Sequence, residues 1–281
     1  MSIVCGIYGY SITRPIVLGE LRIEPRTQEF QQAKSWARDL DSYRLTAVLC
    51  GPTISETALF NLEAVLSFVE HLDVIITSPV ETSGEDPFSR FPERIESHKR
   101  NNGGGAVIGE DAFFPSSRSE FVSKAFACLG DSAFCQATQF NILFFKCVET
   151  FRQPKAFVEI KYFLLYSGLE TYARAVVDDR ETKNSSERIY KLLTDYGFDV
   201  KIENPSNLKK AVSSYTHLRN ALFHNSQISV QVNINGKMVE FAIVDYMFNF
   251  SQLVVLVILK ALRFEDGHIN WNSWIDGQPF I

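Results

Sequence analysis

Near residue 119 the apolar residues change period, and that change restricts the chain to a fold in two parts. Before it, β-branched and aromatic residues alternate in short runs at residues 3–10 (IVCGIYGY), 16–18 and 21–23, each ended by glycine or proline. A period of two with such punctuation is strand patterning. Thr27 is placed to cap a helix reaching about residue 41, and Ser55 to cap one reaching about residue 72 with Leu59, Leu62, Leu66 and Val69 on its apolar face. Residues 45–50, 74–77 and 106–108 read as further strands. The result is a small α+β module in which two helices cover a sheet.

After residue 119 the period becomes that of a helix. Helices are expected over about 119–129, 132–151, 154–177, 187–196, 207–224 and 245–264, with Gly197 as a C-terminal stop. Pro154 is taken as the first-turn residue of the third. Residues 228–235 and 237–244 alternate on either side of Asn235-Gly236, which predicts a β-hairpin inserted before the last helix. Pro79, Pro87, Pro92 and Pro115 mark the change of composition between the halves, so the predicted domains are 1–115 and 119–281. The glycine run at 103–105 lacks the lysine and hydroxyl residue of a phosphate loop and reads as a surface turn. The tail, with Trp271 and Trp274, is expected to pack on the surface.

Charge narrows the functions open to such a chain. Residues 1–118 carry 11 basic and 16 acidic side chains, and residues 119–281 carry 17 of each, within totals of 28 and 33. A protein that grips nucleic acid without regard to sequence needs a basic surface, which this balance excludes. The five cysteines, Cys5, Cys50, Cys128, Cys135 and Cys147, form no C-x-x-C pair, and their spacing to the five histidines matches no zinc site. Free thiols in a reducing cytoplasm are expected, with no metal and no cofactor. The N-terminus lacks signal-peptide patterning, and the longest aliphatic run, 253–259, is too short to span a bilayer, so no membrane is expected.

The chemistry-bearing stretch is residues 219–224 (RNALFH), near the end of the predicted helix 207–224. At about 100° per residue, Ala211, Tyr215, Leu218 and Leu222 share one face, while Ser213, His217, Asn220 and His224 share the opposite one. Arg219 falls on the flank, about 140° from His224. Imidazole titrates near neutral pH and suits proton transfer. A guanidinium keeps its charge and matches phosphate oxygens, and asparagine is suited to hold either the histidine or a phosphate oxygen. A bland reading stands beside this one, in which His224 is a solvated helix end and Arg219 an ion-pair partner. Glu170 and Arg174, in the helix 154–177, are spaced as an i,i+4 ion pair on a polar line with Glu159 and Tyr166; alternatively Glu170 orients a catalytic group across the bundle. A second Arg-x-x-x-x-His spacing, Arg263 to His268, lacks the asparagine, straddles a helix end and is read as a decoy.

Arg219, Asn220 and His224 resemble the R-N-x-x-x-H signature of the HEPN superfamily, and residues 166–172 (YSGLETY) resemble the preceding helix of its ApeA-like branch. The resemblance covers at most about residues 119–264. It implies an all-α HEPN-like bundle carrying the inserted hairpin, behind the α+β module. It also implies a metal-independent RNA endonuclease that works as a homodimer with facing motif helices, possible roles being a defence or toxin effector. Arg219, Asn220 and His224 are then the catalytic residues, His217 and Glu170 auxiliaries, and RNA (tRNA or another structured RNA) the partner. The alternative is a non-catalytic HEPN-like dimerisation or partner-binding module with an N-terminal ligand-sensing domain. In a regulated branch a tyrosine two residues after the histidine is modified; Ser226 stands there in this chain.

Overall fold

The computed structural model describes residues 2–82, 86–97, 99–101, 104–154, 157–177, 184–234 and 236–281. The architecture is α+β, an antiparallel sheet followed by helices. The chain divides into two compact units, 1–131 with 151–155, and 132–150 with 156–281.

In the first unit the sheet is built from β1 (Ser2–Tyr8), β2 (Ile16–Leu18), β3 (Leu21–Pro25), β4 (Ser42–Gly51) and β5 (Ile75–Ile76), in the order β2-β3-β4-β1-β5. Two short strands join it, β6 (Val80–Thr82) on β1 and β7 (Arg94–Glu96) on β4. All pairings are antiparallel. The period-two runs were strands as expected; β6 and β7 were not foreseen, because three-residue strands in a proline-rich stretch carry no periodic signal. Residues 106–108 do not form the expected strand, although the Val107 amide bonds to the Val69 carbonyl at 2.9 Å. The glycine run 103–105 lies partly outside the described residues.

Helix α1 (Phe30–Ala37) starts three residues after Thr27, whose hydroxyl accepts from the Glu29 amide and donates to Gln32. Helix α2 (Glu56–Glu70) is capped by Ser55 as expected, its hydroxyl accepting from the Ala58 amide at 3.2 Å. The second half of α2 is buried all round, because α3 (Ser117–Gly130) packs on it: Phe68 stacks on Phe121 at 5.3 Å. That contact explains why the division falls after residue 131 and not between 115 and 119. The change of period marks where helices begin, not where one core ends.

An ion network fastens α3 within this unit. Arg118 is fully enclosed and donates to Glu70 at 2.6 Å and to Glu110 at 2.8 Å. Glu70 also accepts from the Ser11 amide at 2.9 Å and faces Arg38 at 3.4 Å. Asp111 accepts from the Thr13 and Arg14 amides and the Thr13 hydroxyl, at 2.7–3.0 Å. Arg152 closes the unit elsewhere with ion pairs to Asp73 and Glu63.

The second unit contains α4 (Ser132–Thr138), α5 (Phe140–Arg152, whose last two residues belong to the first unit), α6 (Val158–Val176), α7 (Ser185–Asp195), α8 (Val212–Asn225), the hairpin β8 (Ser229–Ile234) and β9 (Lys237–Ala242), α9 (Ile243–Ala261) and α10 (Ser273–Asp276). The expected helix 132–151 is broken at Gln139, which adopts φ +58° while the Thr138 hydroxyl accepts from the Phe140 amide. Helix α6 begins at Val158, so Pro154 precedes it and is not its first-turn residue. The hairpin forms in the expected register with Gly236 at φ +83°, a conformation that glycine adopts without cost; Asn235 lies outside the described residues.

Aromatic rings fill the centre of this unit. Phe250 of α9 lies 5.1 Å from Tyr162 of α6 and 5.0 Å from Tyr215 of α8, and the Tyr162 hydroxyl donates to the Tyr215 carbonyl at 2.7 Å. Helix α9 is long and apolar enough by length and composition to cross a membrane, but most of it is buried within the protein. The helix has nearly the expected length, and the aliphatic run 253–259 is only part of its apolar stretch, which aromatic and small residues extend. The tail packs against the protein as expected: Trp274 is buried, and its carbonyl accepts from Asn249 of α9.

Among the described residues no disulfide joins the cysteines, and Cys5, Cys135 and Cys147 are buried. Burial pushes the Cys5 thiol up to about 11 and the Cys147 thiol higher, so neither is a nucleophile at neutral pH.

Candidate functional site

Helix α8 positions the motif. It begins at Val212, five residues later than expected, because residues 201 and 211 pair as a bridge and a short 3-10 turn occupies Leu208–Lys210. The Val212 and Ser213 amides donate to the Lys201 and Ile202 carbonyls at 2.9 and 3.0 Å. A neighbouring backbone thus satisfies the helix N-terminus in place of a capping side chain. At the other end Ser226, at φ +53°, closes the helix with its amide on the Leu222 carbonyl. Val212, Ser214, Tyr215, Leu218 and Ala221 are buried. Asn220 and His224 are exposed, while Ser213 and His217 are half-buried, as the helical phase requires.

Arg219 is the most constrained of the motif residues. Its guanidinium lies 4.8 Å from the Phe223 ring and 5.7 Å from the Tyr166 ring. Nη1 donates to Asn220 Oδ1 at 2.9 Å, Nη2 faces Glu170 at 3.5 Å, and Nε is buried without a partner. Glu170, on α6, also accepts from Arg174 at 2.9 Å and from the Ser185 hydroxyl. Glu170 therefore makes the expected i,i+4 pair and also reaches across to α8. Tyr166 is buried, not on a polar line; its hydroxyl bonds to Thr216 at 3.0 Å and burial raises its pKa to about 12.

The structure joins Arg219, Asn220 and Glu170 and does not join His224 to them. Asn220 spends its carbonyl on Arg219, so it does not hold His224 through that atom. The His224 side chain makes no hydrogen bond among the described residues. His217 faces another way, its ring nearly parallel to that of Phe241 on β9. Sequence reading missed the aromatic clamp of Tyr166 and Phe223; the i,i+4 spacing of Arg219 and Phe223 was a signal for half of it.

Phe223 continues into an apolar surface groove with Ile160, Phe163 and Leu222, where the Phe163 and Phe223 rings are 4.8 Å apart. Ile160, Phe163 and Phe223 are each about two-fifths exposed. The second Arg-His spacing runs past the end of α9, with Arg263 at φ +49°, so no helix presents it. Among the described residues no three histidine, cysteine, aspartate or glutamate side chains converge as a metal site.

The chain was compared with protein-family models, curated proteins and solved structures. None matches it.

Proposed function

We propose that the second unit is a HEPN-type, metal-independent RNA endonuclease that acts as a homodimer in the cytoplasm, in a defence or toxin role. What supports the reading is Arg219: a guanidinium clamped by Tyr166 and Phe223, oriented by Asn220 and Glu170, and still about a quarter exposed on the helix that carries His224 in its last turn. A clamped guanidinium is pre-organised for a phosphate that gains charge during reaction. The ribose 2′-oxygen attacks phosphorus and loses its proton, the bond from phosphorus to the 5′-oxygen breaks, and that oxygen takes up a proton. His224 is the group suited to move those protons. The products are a 2′,3′-cyclic phosphate and a 5′-hydroxyl. Incubating the pure chain with total RNA and mapping the cut ends tests this; 3′-hydroxyl ends, or no cutting under any condition, would remove the assignment.

The nucleophile belongs to the RNA, so no metal-bound water is required. Cleavage is expected to survive excess EDTA; loss in EDTA restored by a divalent cation would indicate a different nuclease chemistry.

One chain leaves His224 apart from Arg219, and this favours a shared site. In the proposed dimer a twofold axis brings a second motif helix to the same cleft, with the polar stripe Ser213, His217, Asn220 and His224 or its rim at the interface. The apolar groove of Ile160, Phe163 and Phe223 is suited to make contact at that rim. Sedimentation at several concentrations, run beside the cleavage assay, is expected to show activity following the dimer fraction. A monomer that cleaves in strict proportion to its concentration, far below the dimer dissociation constant, defeats the shared site.

The same groove and the neutral charge of residues 119–281 also favour the second reading, a non-catalytic dimerisation or partner-binding module with an N-terminal ligand-sensing domain. A stable dimer with no RNA cleavage would be its signature.

A further inference from the structure

Beside the motif, on the polar side of α8, a cleft of about 110 Å³ opens between the hairpin and the loop that precedes the helix. That room is well beyond a single water. His217 and Phe241 lie along it with ring planes 12° apart and centroids 6.4 Å apart. Leu208 and Val232 supply apolar wall, and Asn204, Asn233 and Ser213 supply polar groups.

The hydrogen-bond accounts of these polar groups are one-sided. Asn204 Oδ1 already accepts from the Ser206 hydroxyl at 2.7 Å and the Asn207 amide at 3.1 Å. Asn233 Oδ1 accepts from the Gly236 amide at 2.9 Å. In both, the NH₂ group is the part without a partner among the described residues. The Ser213 hydroxyl and the His217 ring make no hydrogen bond among them either. Glu203 stands exposed at the mouth as an acceptor. The cleft thus combines the half-buried ring of His217, lying nearly parallel to the buried Phe241, with amide donors and one carboxylate.

We propose that this cleft binds one base of a single-stranded RNA segment, guanine in preference, and so selects the nucleotide near the cut. Proteins read single-stranded RNA by stacking bases on aromatic or histidine rings and bonding their edges. Guanine offers a carbonyl acceptor beside N–H donors, which matches an amide NH₂ and a carboxylate together; adenine and the pyrimidines offer a poorer set. The position also fits. His217 precedes His224 by seven residues, about 10.5 Å along the axis and only about 20° away in azimuth, so a strand lying along the stripe reaches both. The inference rests on the ribonuclease reading of the neighbouring motif only for its role in choosing the cut site.

The test uses the full chain carrying His224→Ala, titrated with each of the four nucleoside 5′-monophosphates while the His217 imidazole is followed by NMR. The guanosine nucleotide is expected to bind at least about tenfold more tightly than the others and to shift the His217 signals. Adding His217→Ala, with binding then read by calorimetry because the imidazole reporter is gone, is expected to weaken all four about tenfold. Adding Glu203→Gln, a near-isosteric change at an exposed position, is expected to erase the preference for guanine while leaving a folded protein. In the His224-containing chain the same two changes broaden the base distribution at mapped cuts. No shift of the His217 signals up to about 10 mM nucleotide overturns the proposal. So does a base distribution at the cuts that neither change alters, while His224-dependent cleavage continues; that result leaves the ribonuclease reading intact. Guanosine nucleotide binding at His217 in a chain that cuts no RNA removes the ribonuclease reading and keeps the cleft.

Discussion

His224→Ala is expected to lower RNA cleavage about a hundredfold or more, with little change in melting temperature. The side chain is exposed in the last turn of α8 and makes no hydrogen bond among the described residues, so its loss removes proton transfer without removing packing. Arg219→Ala is expected to match it, because a positioned cation supplies a comparable factor. Arg219→Lys separates charge from geometry. An ammonium keeps the charge but loses the fork that reaches Asn220 and Glu170 and the flat face that lies on Phe223 and Tyr166, so most of the loss should remain. Glu170→Gln acts through Arg219 and should cost less than removal of Arg219, with the shape of the pH profile retained. His268→Ala should be silent. Full cleavage in both His224→Ala and Arg219→Ala would detach ribonuclease activity from this motif.

The parts of this fold that were legible beforehand are those whose sequence signal is local. The hairpin 229–242 follows from alternation on both sides of Asn235-Gly236, and the Ser55 cap from a hydroxyl before an apolar run. What was misread depends on distant partners. The delayed start of α8 comes from the pairing of residues 201 and 211, ten positions apart, and no helical propensity reports it. Tyr166 shares its helical phase with Glu170 and Arg174, which made it look like surface; a bond to Thr216, fifty residues away, allows its hydroxyl to be buried. The site divides the same way. The polar phase of His217, Asn220 and His224 was readable from pitch. The use of Asn220 by Arg219, and the turning of His217 toward Phe241, depend on rotamers and on the hairpin.

Arg118→Ala is expected to destabilise the first unit by about 3–5 kcal/mol, because it strands buried carboxylates. Glu70 is fully buried and would keep the Ser11 amide and a longer contact to Arg38 in place of its 2.6 Å bond to Arg118. Glu110 would lose its 2.8 Å partner as well. Burial already holds the Glu110 carboxyl above its ordinary value of 4.5, with Arg118 opposing that shift. An acid whose folded pKa is raised favours the folded state most below its unfolded pKa, and that benefit falls as pH rises through the window up to the folded value. Removing Arg118 widens the window, so the deficit of Arg118→Ala should be largest at neutral pH, shrink as pH falls and folded Glu110 takes a proton, and be smallest below about pH 4.5, the ordinary carboxyl value. Replacing all three members, Arg118→Met with Glu70→Leu and Glu110→Leu, should recover much of the loss, since buried ionic pairs and triads are often no better than apolar groups of similar size. Hydrogen exchange read on peptides from β1 and β4 reports on this unit directly, as Arg118 also donates to the Ser11 carbonyl in the loop that leaves β1. Unchanged exchange at neutral pH in Arg118→Ala would mean that the buried network contributes nothing to holding α3 on the sheet unit.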